Sequence, residues 1–279
     1  MPSVGRTAVP SCWFLQWPAL CRFGIRNQDM DKGDTLREGL EQSASHRISN
    51  LPLVHPSTKP SDDLDCRLFH GFSKDEVNVI VSAATEKTVD AGQVIFEADD
   101  SARQLFLLRK GIVKFDRVTS KGKEILFGLL IPGDAFGLGT LLARQYKYLG
   151  TAEPIEDCEL LVWDRVLIHR LASTYPRITE NTLSIALHYI ALLASRHVNI
   201  MESTAEERLA LTLSALGVRS GHMGSHGVEI SLKNEHLAAL ADVSPFTASR
   251  VLNDWARQKV IEKSRGKILI RNPERLLPK

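Results

Sequence analysis

The sequence is short of cysteine and of long apolar runs. No stretch of its 279 residues approaches the roughly 18 apolar residues that a membrane-spanning helix needs. The four cysteines form no Cys-x-x-Cys pair and are far too sparse for a secreted disulfide scaffold. They are Cys12, Cys21, Cys66 and Cys158. These absences indicate a chain that works in a reducing cytoplasm without membrane contact.

Neither positive nor negative charge predominates, because the net charge is only +2. The composition, 43% hydrophobic and 24% charged, is that of an ordinary globular protein long enough for two domains. Neither a Gly-Lys-Ser/Thr phosphate loop nor a Gly-x-Ser-x-Gly elbow occurs. The segment between Val94 and Val162 has no histidine, whereas a cupin enzyme needs two or three on its strands. We therefore expect no catalytic activity.

Residues 1–29 show neither helical nor strand alternation. Residues 1–29 match a signal peptide poorly, because their positive charge follows the mildly apolar segment. Met30 is a second candidate start, which would make residues 1–29 non-native. Residues 30–62 are polar and carry three prolines, so residues 1–62 are expected to form a flexible N-terminal extension.

Residues 63–175 are predicted to form an α+β domain built on an antiparallel β-roll. Ser73 and Glu76 have the spacing of a capping box at a helix start. Short apolar runs then recur every 8–12 residues between glycine or charged turns, which favours an antiparallel jelly-roll-like fold (a double-stranded β-helix). The runs are Val94–Phe96, Leu105–Leu108, Ile112–Phe115, Ile125–Leu130 and Asp157–Val162.

A long helix is predicted over residues 176–202. Its apolar residues recur at alternating steps of four and three, which is the pattern of a coiled-coil seam. The seam consists of Leu183, Leu187, Ile190, Ala194, His197 and Met201. Ile185 and Leu192 make the opposite flank apolar, so the helix must contact two surfaces. We expect a homodimer through the seam, and a buried helix in a monomer is the alternative.

Residues 203–279 contain twelve Lys and Arg against eight Asp and Glu, so the basic part of the chain is C-terminal. Ser203 and Glu206 are the predicted start of its first helix, and Ser231 or Asn234 is the predicted cap of its second. Residues 242–250 read D-V-S-P-F-T-A-S-R. A turn there is followed by Ser244 as N-cap and Pro245 at the first helical position.

This third helix has a polar front, which predicts a helix-turn-helix motif. Its buried stripe is predicted to be Ala248, Val251, Leu252 and Trp255. The N-terminal end of such a helix enters the DNA major groove, where arginine binds guanine bidentately. Val260–Ile270 then predicts a basic hairpin, or wing, that reaches phosphates. The predicted DNA-binding residues are Lys233, Ser244, Pro245, Phe246, Thr247, Ser249, Arg250, Lys263, Arg265 and Lys267.

Two motifs resemble the Crp/Fnr family of bacterial transcription regulators: Ile131–Gly137, which reads I-P-G-D-A-F-G, and Ser244–Arg250. The resemblance extends over roughly residues 68–276. It implies a homodimeric regulator that reads a palindromic site in double-stranded DNA, with RNA polymerase as a further partner. The family often has a glutamate where Phe246 stands, so the half-site is expected to differ. Phe246 can contact a thymine methyl group instead.

The resemblance also implies an effector pocket in the β-roll. Cyclic-AMP-binding members have Gly-Glu where this chain has Gly137-Leu138, and an Arg-Ser/Thr pair where it has residues 147–151. Binding of cyclic AMP in the usual way is therefore not expected. The candidate pocket residues are Phe136, Gly137, Leu138, Tyr148, Thr151, Leu193, Ala194 and His197.

The effector itself stays open. An iron–sulfur cluster is not expected, because the cysteines lie too far apart in the sequence. Haem on His197, His188 or His169, and a cyclic nucleotide, are both disfavoured alternatives. A β-roll that binds a ligand or serves as a scaffold, without specific DNA binding, is the alternative to a regulator.

Overall fold

The computed structural model describes residues 66–224, 227–271 and 276. The predicted extension over residues 1–62 lies outside these ranges. None of the helices in the described ranges is long and apolar enough to cross a membrane.

The N-terminal part is an antiparallel β-roll of two sheets. Helix α1 precedes it, capped by Ser73 and Glu76 in the predicted capping box. One sheet has the order β1-β7-β2-β5 and the other β4-β3-β6. The elements are α1 (Lys74–Ser82), β1 (Thr85–Val89), β2 (Gln104–Lys110), β3 (Val113–Val118), β4 (Glu124–Leu130), β5 (Ala135–Phe136), β6 (Thr151–Pro154) and β7 (Cys158–Asp164). Short 3₁₀ helices occupy Arg67–Phe69 and Leu138–Leu141.

The predicted strand at Val94–Phe96 is wrong. Phe96 makes only an isolated bridge to Ala152, and Val94 is exposed. The additional strand is β1, whose five residues pair with β7 although four of them are exposed. An exposed edge strand carries no apolar alternation, so the sequence pattern gives it no signal.

Two helices follow the β-roll: α2 (Arg165–Thr174) and α3 (Arg177–Glu202). One flank of α3 packs on the β-roll through Ile178 and Ile185, which are buried in the same core as Trp163. The opposite flank is the predicted seam. Helix α3 therefore has the two apolar surfaces that its sequence predicts, of which the β-roll covers one.

The C-terminal part is a winged helix-turn-helix. It comprises α4 (Ala205–Ser220), β8 (His222–Gly224), β9 (Gly227–Ser231), α5 (Asn234–Leu240), α6 (Pro245–Arg257), β10 (Ile261–Ser264) and β11 (Lys267–Ile270). Two predicted caps are wrong. Thr204 and Glu207, not Ser203 and Glu206, form the capping box of α4. Lys233 precedes α5 without a side-chain cap, because Ser231 is held in β9 opposite Lys267.

The winged helix-turn-helix packs against the outer face of the sheet β4-β3-β6. Leu129 of β4 is buried in the same core as the helices α4, α5 and α6. Arg196 of α3 donates to Leu126 O of β4 at 2.6 Å and to Ala239 O of α5 at 2.8 Å. Arg219 of α4 pairs with Asp134 of the β-roll at 2.8 Å. Polar and apolar contacts thus join the two parts of the chain.

Candidate nucleic-acid interface

Helix α6 begins as its sequence predicts. Ser244 Oγ accepts the Thr247 backbone N–H at 3.0 Å and contacts Thr247 Oγ1 at 2.8 Å. Pro245 occupies the first turn, where its missing N–H leaves no helical bond unmade. The remaining free N–H groups and the positive end of the helix dipole form a surface suited to a phosphate.

The two faces of α6 separate apolar from polar residues. The predicted stripe of Ala248, Val251, Leu252 and Trp255 is buried. On the other side Phe246 is 79% exposed, the largest exposed fraction among the large hydrophobic residues described. Arg250 is exposed one turn further along, and Thr247 and Ser249 are partly exposed beside them. Phe246 and Arg250 thus place an exposed aromatic ring and an exposed guanidinium on the front of α6.

A tight turn braces α6 against α5. Asp242 adopts a positive φ of 52°, and the Val243 N–H bonds to Ala238 O at 3.0 Å. Arg208 of α4 donates to the carbonyl groups of Ser203, Ala241 and Asp242. Arg208 therefore fixes both the start of α4 and the turn. No local pattern predicts this role, because Ala241 and Asp242 lie 33 and 34 residues away from Arg208 in the sequence.

The wing places its three predicted cations differently. Lys263 donates to Asn253 Oδ1 of α6 at 2.9 Å, which ties β10 to the exposed front of that helix. Lys267 pairs with Glu229 of β9 at 2.7 Å, so a neighbouring charge partly neutralises it. Arg265 is exposed in the hairpin turn and has no ion pair within the described ranges. Lys233 is exposed and lies 3.8 Å from Glu235.

The predicted dimer seam lies on the open flank of α3. Leu183, Leu187, Ile190 and Met201 are between 57% and 75% exposed, and Ala194 and His197 are exposed between them. These six residues therefore form a continuous exposed row along the helix.

The predicted effector residues fall into two groups. Phe136 and Tyr148 are buried inside the β-roll, with Gly137 against them and Thr151 Oγ1 accepting the Ala98 N–H at 3.1 Å. Leu138 opens the second 3₁₀ helix. Leu193, Ala194 and His197 instead lie on the open flank of α3. The structure thus brings Phe136, Gly137 and Tyr148 together, whereas Leu138 packs against the core that holds Trp163. Ala194 and His197 belong to the exposed row, and Leu193 is exposed beside them.

Metal and thiol chemistry finds little support in the described ranges. They contain no group of three or more His, Cys, Asp or Glu arranged to hold a metal ion. Cys158 is a buried core residue, as its strand position predicts, and burial raises the pKa of its thiol to about 11. Such a thiol is protonated at neutral pH and packs as a small hydrophobic group.

Comparison with known proteins gives a match for the β-roll and another for the winged helix-turn-helix. Residues 86–175 match the model of the cyclic nucleotide-binding domain, and residues 207–278 match the Crp-like helix-turn-helix domain. The chain is 29% identical over 205 residues to the cyclic AMP receptor protein of Thermus thermophilus, covering 73% of this chain and 92% of that protein. It is 24% identical over 218 residues to the anaerobic regulatory protein of Bacillus subtilis, covering 77% and 89%.

Solved structures show the same fold. FixK2 from Bradyrhizobium japonicum superposes with a TM-score of 0.62 at 21% identity, over 69% of this chain and 95% of that one. Fold, interface and relatives together define a DNA-binding transcription regulator with a β-roll of the cyclic nucleotide-binding type. The chain belongs to the Crp/Fnr family.

Proposed function

We propose that this regulator works in the cytoplasm as a homodimer, without catalytic activity, and reads a palindromic DNA site through α6. RNA polymerase is the further partner in this proposal. The observation that supports it most is the exposed front of α6, where Phe246 and Arg250 stand beside a capped helix N-terminus. A β-roll scaffold without DNA function would have no use for this surface.

The row on α3 supports the homodimer. Apolar side chains at alternating steps of four and three pack as knobs into holes on a second helix. Leu187→Glu would place a charge in the middle of the row and should convert the dimer to a monomer. Ser184→Glu, also exposed on α3 but outside the row, is the matched control. Analytical ultracentrifugation measures the oligomeric state of both variants. A Leu187→Glu protein that sediments as a dimer would contradict the proposed interface.

Arg250 is the proposed base-reading residue. A bidentate arginine–guanine contact contributes about 1–3 kcal/mol of discrimination, so a dimer with two half-sites loses about 2–6 kcal/mol on Arg250→Ala. The wild-type protein is first used to select its site from a randomised duplex library, and fluorescence anisotropy then gives both affinities. Arg257, bonded to Asp254 at the far end of α6, provides the control Arg257→Ala. Equal affinities of wild type and Arg250→Ala would exclude this role.

Phe246 is proposed to contact a thymine methyl group. Replacing the selected thymine by uracil, which lacks only that methyl, should weaken binding by wild type but not by Phe246→Ala.

Arg265 is proposed to bind phosphate. Arg265→Ala should weaken all duplexes alike and lower the slope of log K against log salt by about 2, since each of the two protomers loses one phosphate contact. A sequence-dependent loss would assign Arg265 to base readout instead.

A further inference from the structure

Four aromatic rings fill the interior of the β-roll. Phe106 and Phe136 stack with centroids 5.1 Å apart, and Phe96 lies 5.5 Å from Phe106. The Tyr148 ring stacks on Phe96 at 3.7 Å with an interplanar angle of 19°. All four side chains are buried, together with the aliphatic core of both sheets. Tyr148 enters this core from the loop before β6 rather than from a strand.

The Tyr148 hydroxyl is held by backbone groups at the start of β2. Its oxygen accepts the N–H groups of Gln104 at 3.1 Å and Arg103 at 3.3 Å, and it donates to Gln104 O at 3.0 Å. Thr140 Oγ1 donates to the same carbonyl oxygen at 2.8 Å. The phenol therefore accepts two backbone N–H groups, each of which would cost about 1–3 kcal/mol if left buried and unpaired, and it shares Gln104 O with Thr140.

Tyr148 also lies against the turn that follows β5. Gly137 has a φ of 76°, and a Cβ there would stand 3.4 Å from the Tyr148 ring and 2.6 Å from Gln104 O. The two segments that bind nucleotide in cyclic-AMP-responsive relatives, at Gly137 and at residues 147–151, thus meet in this chain. The ring of Tyr148 occupies the place where they meet.

The same turn connects to the DNA-binding part. Phe136 lies two residues after Asp134, whose Oδ2 accepts the Ile131 N–H at 3.0 Å and the Arg219 guanidinium at 2.8 Å. Arg219 belongs to α4. Tyr189 of α3 packs against the core that holds the four rings, and it lines a small cavity together with Asp134 and Arg219. Burial raises the pKa of the Tyr189 hydroxyl. A movement of the aromatic cluster therefore reaches Arg219 through one continuous set of contacts.

We propose that Tyr148 is a built-in occupant of the effector position, which holds the β-roll and the DNA-binding part in one arrangement without a diffusible ligand. Phenol is the chemical class that the position accepts, because it supplies both the ring on Phe96 and the hydroxyl for Gln104. The inference rests on the proposed DNA binding, and its test separates the two.

The test uses Tyr148→Gly and Tyr148→Phe in the full chain, with phenol as the probe. Tyr148→Gly, with circular dichroism confirming the fold, should unfold at a lower temperature and bind the selected duplex about tenfold more weakly, within the 5–150-fold range of allosteric couplings. Millimolar phenol should restore both values. Tyr148→Phe keeps the ring and loses only the hydrogen bonds, so it should lose stability and gain nothing from phenol.

Three outcomes would overturn the proposal. In the first, Tyr148→Gly binds the duplex as tightly as wild type. In the second, phenol raises neither the melting temperature of Tyr148→Gly nor its affinity for the duplex. In the third, 3′,5′-cyclic AMP raises the melting temperature of wild type and exposes the Arg103 and Gln104 amides to hydrogen exchange, so that Tyr148 is displaced. The measurement with 3′,5′-cyclic AMP uses the wild-type protein, so it tests the proposal even where Tyr148→Gly does not fold.

A double variant separates this inference from the DNA-binding proposal. Tyr148→Gly with Arg250→Ala should bind no duplex specifically, yet phenol should still raise its melting temperature. Failure of wild type to select any duplex would refute the DNA-binding proposal while leaving the phenol-dependent stability as the measure of the occupied β-roll.

Discussion

Arg196 is the residue whose replacement tests most directly how the two parts of the chain are joined. Its guanidinium lies between Leu126 O of β4 and Ala239 O of α5, at 2.6 and 2.8 Å. Burial lowers the pKa of this arginine, which shows that its charge is partly removed from water. Arg196→Ala would remove the side-chain donor from both carbonyl groups where β4, α3 and α5 meet, and Ala239 O would keep the Asp242 N–H at 3.3 Å.

The magnitude follows from the two bonds. A hydrogen bond to a charged donor contributes about 1.5–3 kcal/mol, and the desolvation of the guanidinium offsets part of the total. A net loss of about 2–4 kcal/mol is expected in the free energy that holds the DNA-binding part against the β-roll. Each 1.4 kcal/mol is a factor of ten, so separation becomes about 30- to 700-fold more frequent.

Limited proteolysis measures how often the DNA-binding part separates from the β-roll. The cut is expected at the junction of α3 and α4, where Ser203 and Thr204 are the only residues between the two helices. Arg196→Ala should be cut faster there and should unfold in two urea transitions rather than one. Arg196→Lys has a single ammonium group and should be intermediate. Arg170→Ala, which removes an exposed arginine from α2, is the control. One transition at the wild-type midpoint, with unchanged cleavage, would refute the reasoning.

Three further changes have defined outcomes. Asp116 is buried, and burial raises the pKa of its carboxyl. Ionisation of this carboxyl therefore lowers stability as the pH rises above the usual carboxyl range. In urea unfolding, Asp116→Asn should be more stable than wild type at neutral pH and no more stable in acid. Ser244→Asp should keep the cap of α6 and its melting temperature, but weaken binding to every duplex in anisotropy titrations by repelling phosphate. Gly137→Ala should cost about 1–3 kcal/mol in urea unfolding through strain and a clash with a β2 oxygen, whereas Gly122→Ala, at φ 75° in open space, should cost less.

Much of the interface was predictable because its signals are local. Ser244, Pro245 and the stripe ending at Trp255 specify a capped amphipathic helix within twelve consecutive residues, and the structure confirms the cap and the buried face. The seam on α3 is equally local, since a helix converts its spacing directly into one exposed row. The β-roll strands that consist of short apolar runs, such as β2 and β7, were predictable for the same reason.

Caps and edges were less predictable. Ser203 and Thr204 are both able to cap α4, and only the backbone direction at the end of α3 selects Thr204. Strand β1 was missed because pairing with β7, rather than its own side chains, makes it a strand. In both cases several local solutions have similar free energies, and contacts distant in sequence choose among them.

The sequence by itself determined the class of the protein, the capped helix α6 and the exposed row on α3, because each depends on the periodicity and capping of one continuous segment. Only the tertiary structure decided what fills the β-roll and how the DNA-binding part is held. Tyr148 meets Gln104 across forty-four residues, Arg219 meets Asp134 across eighty-five, and Arg196 joins two elements at once. Such contacts arise from chain topology, which brings together groups that no local pattern relates.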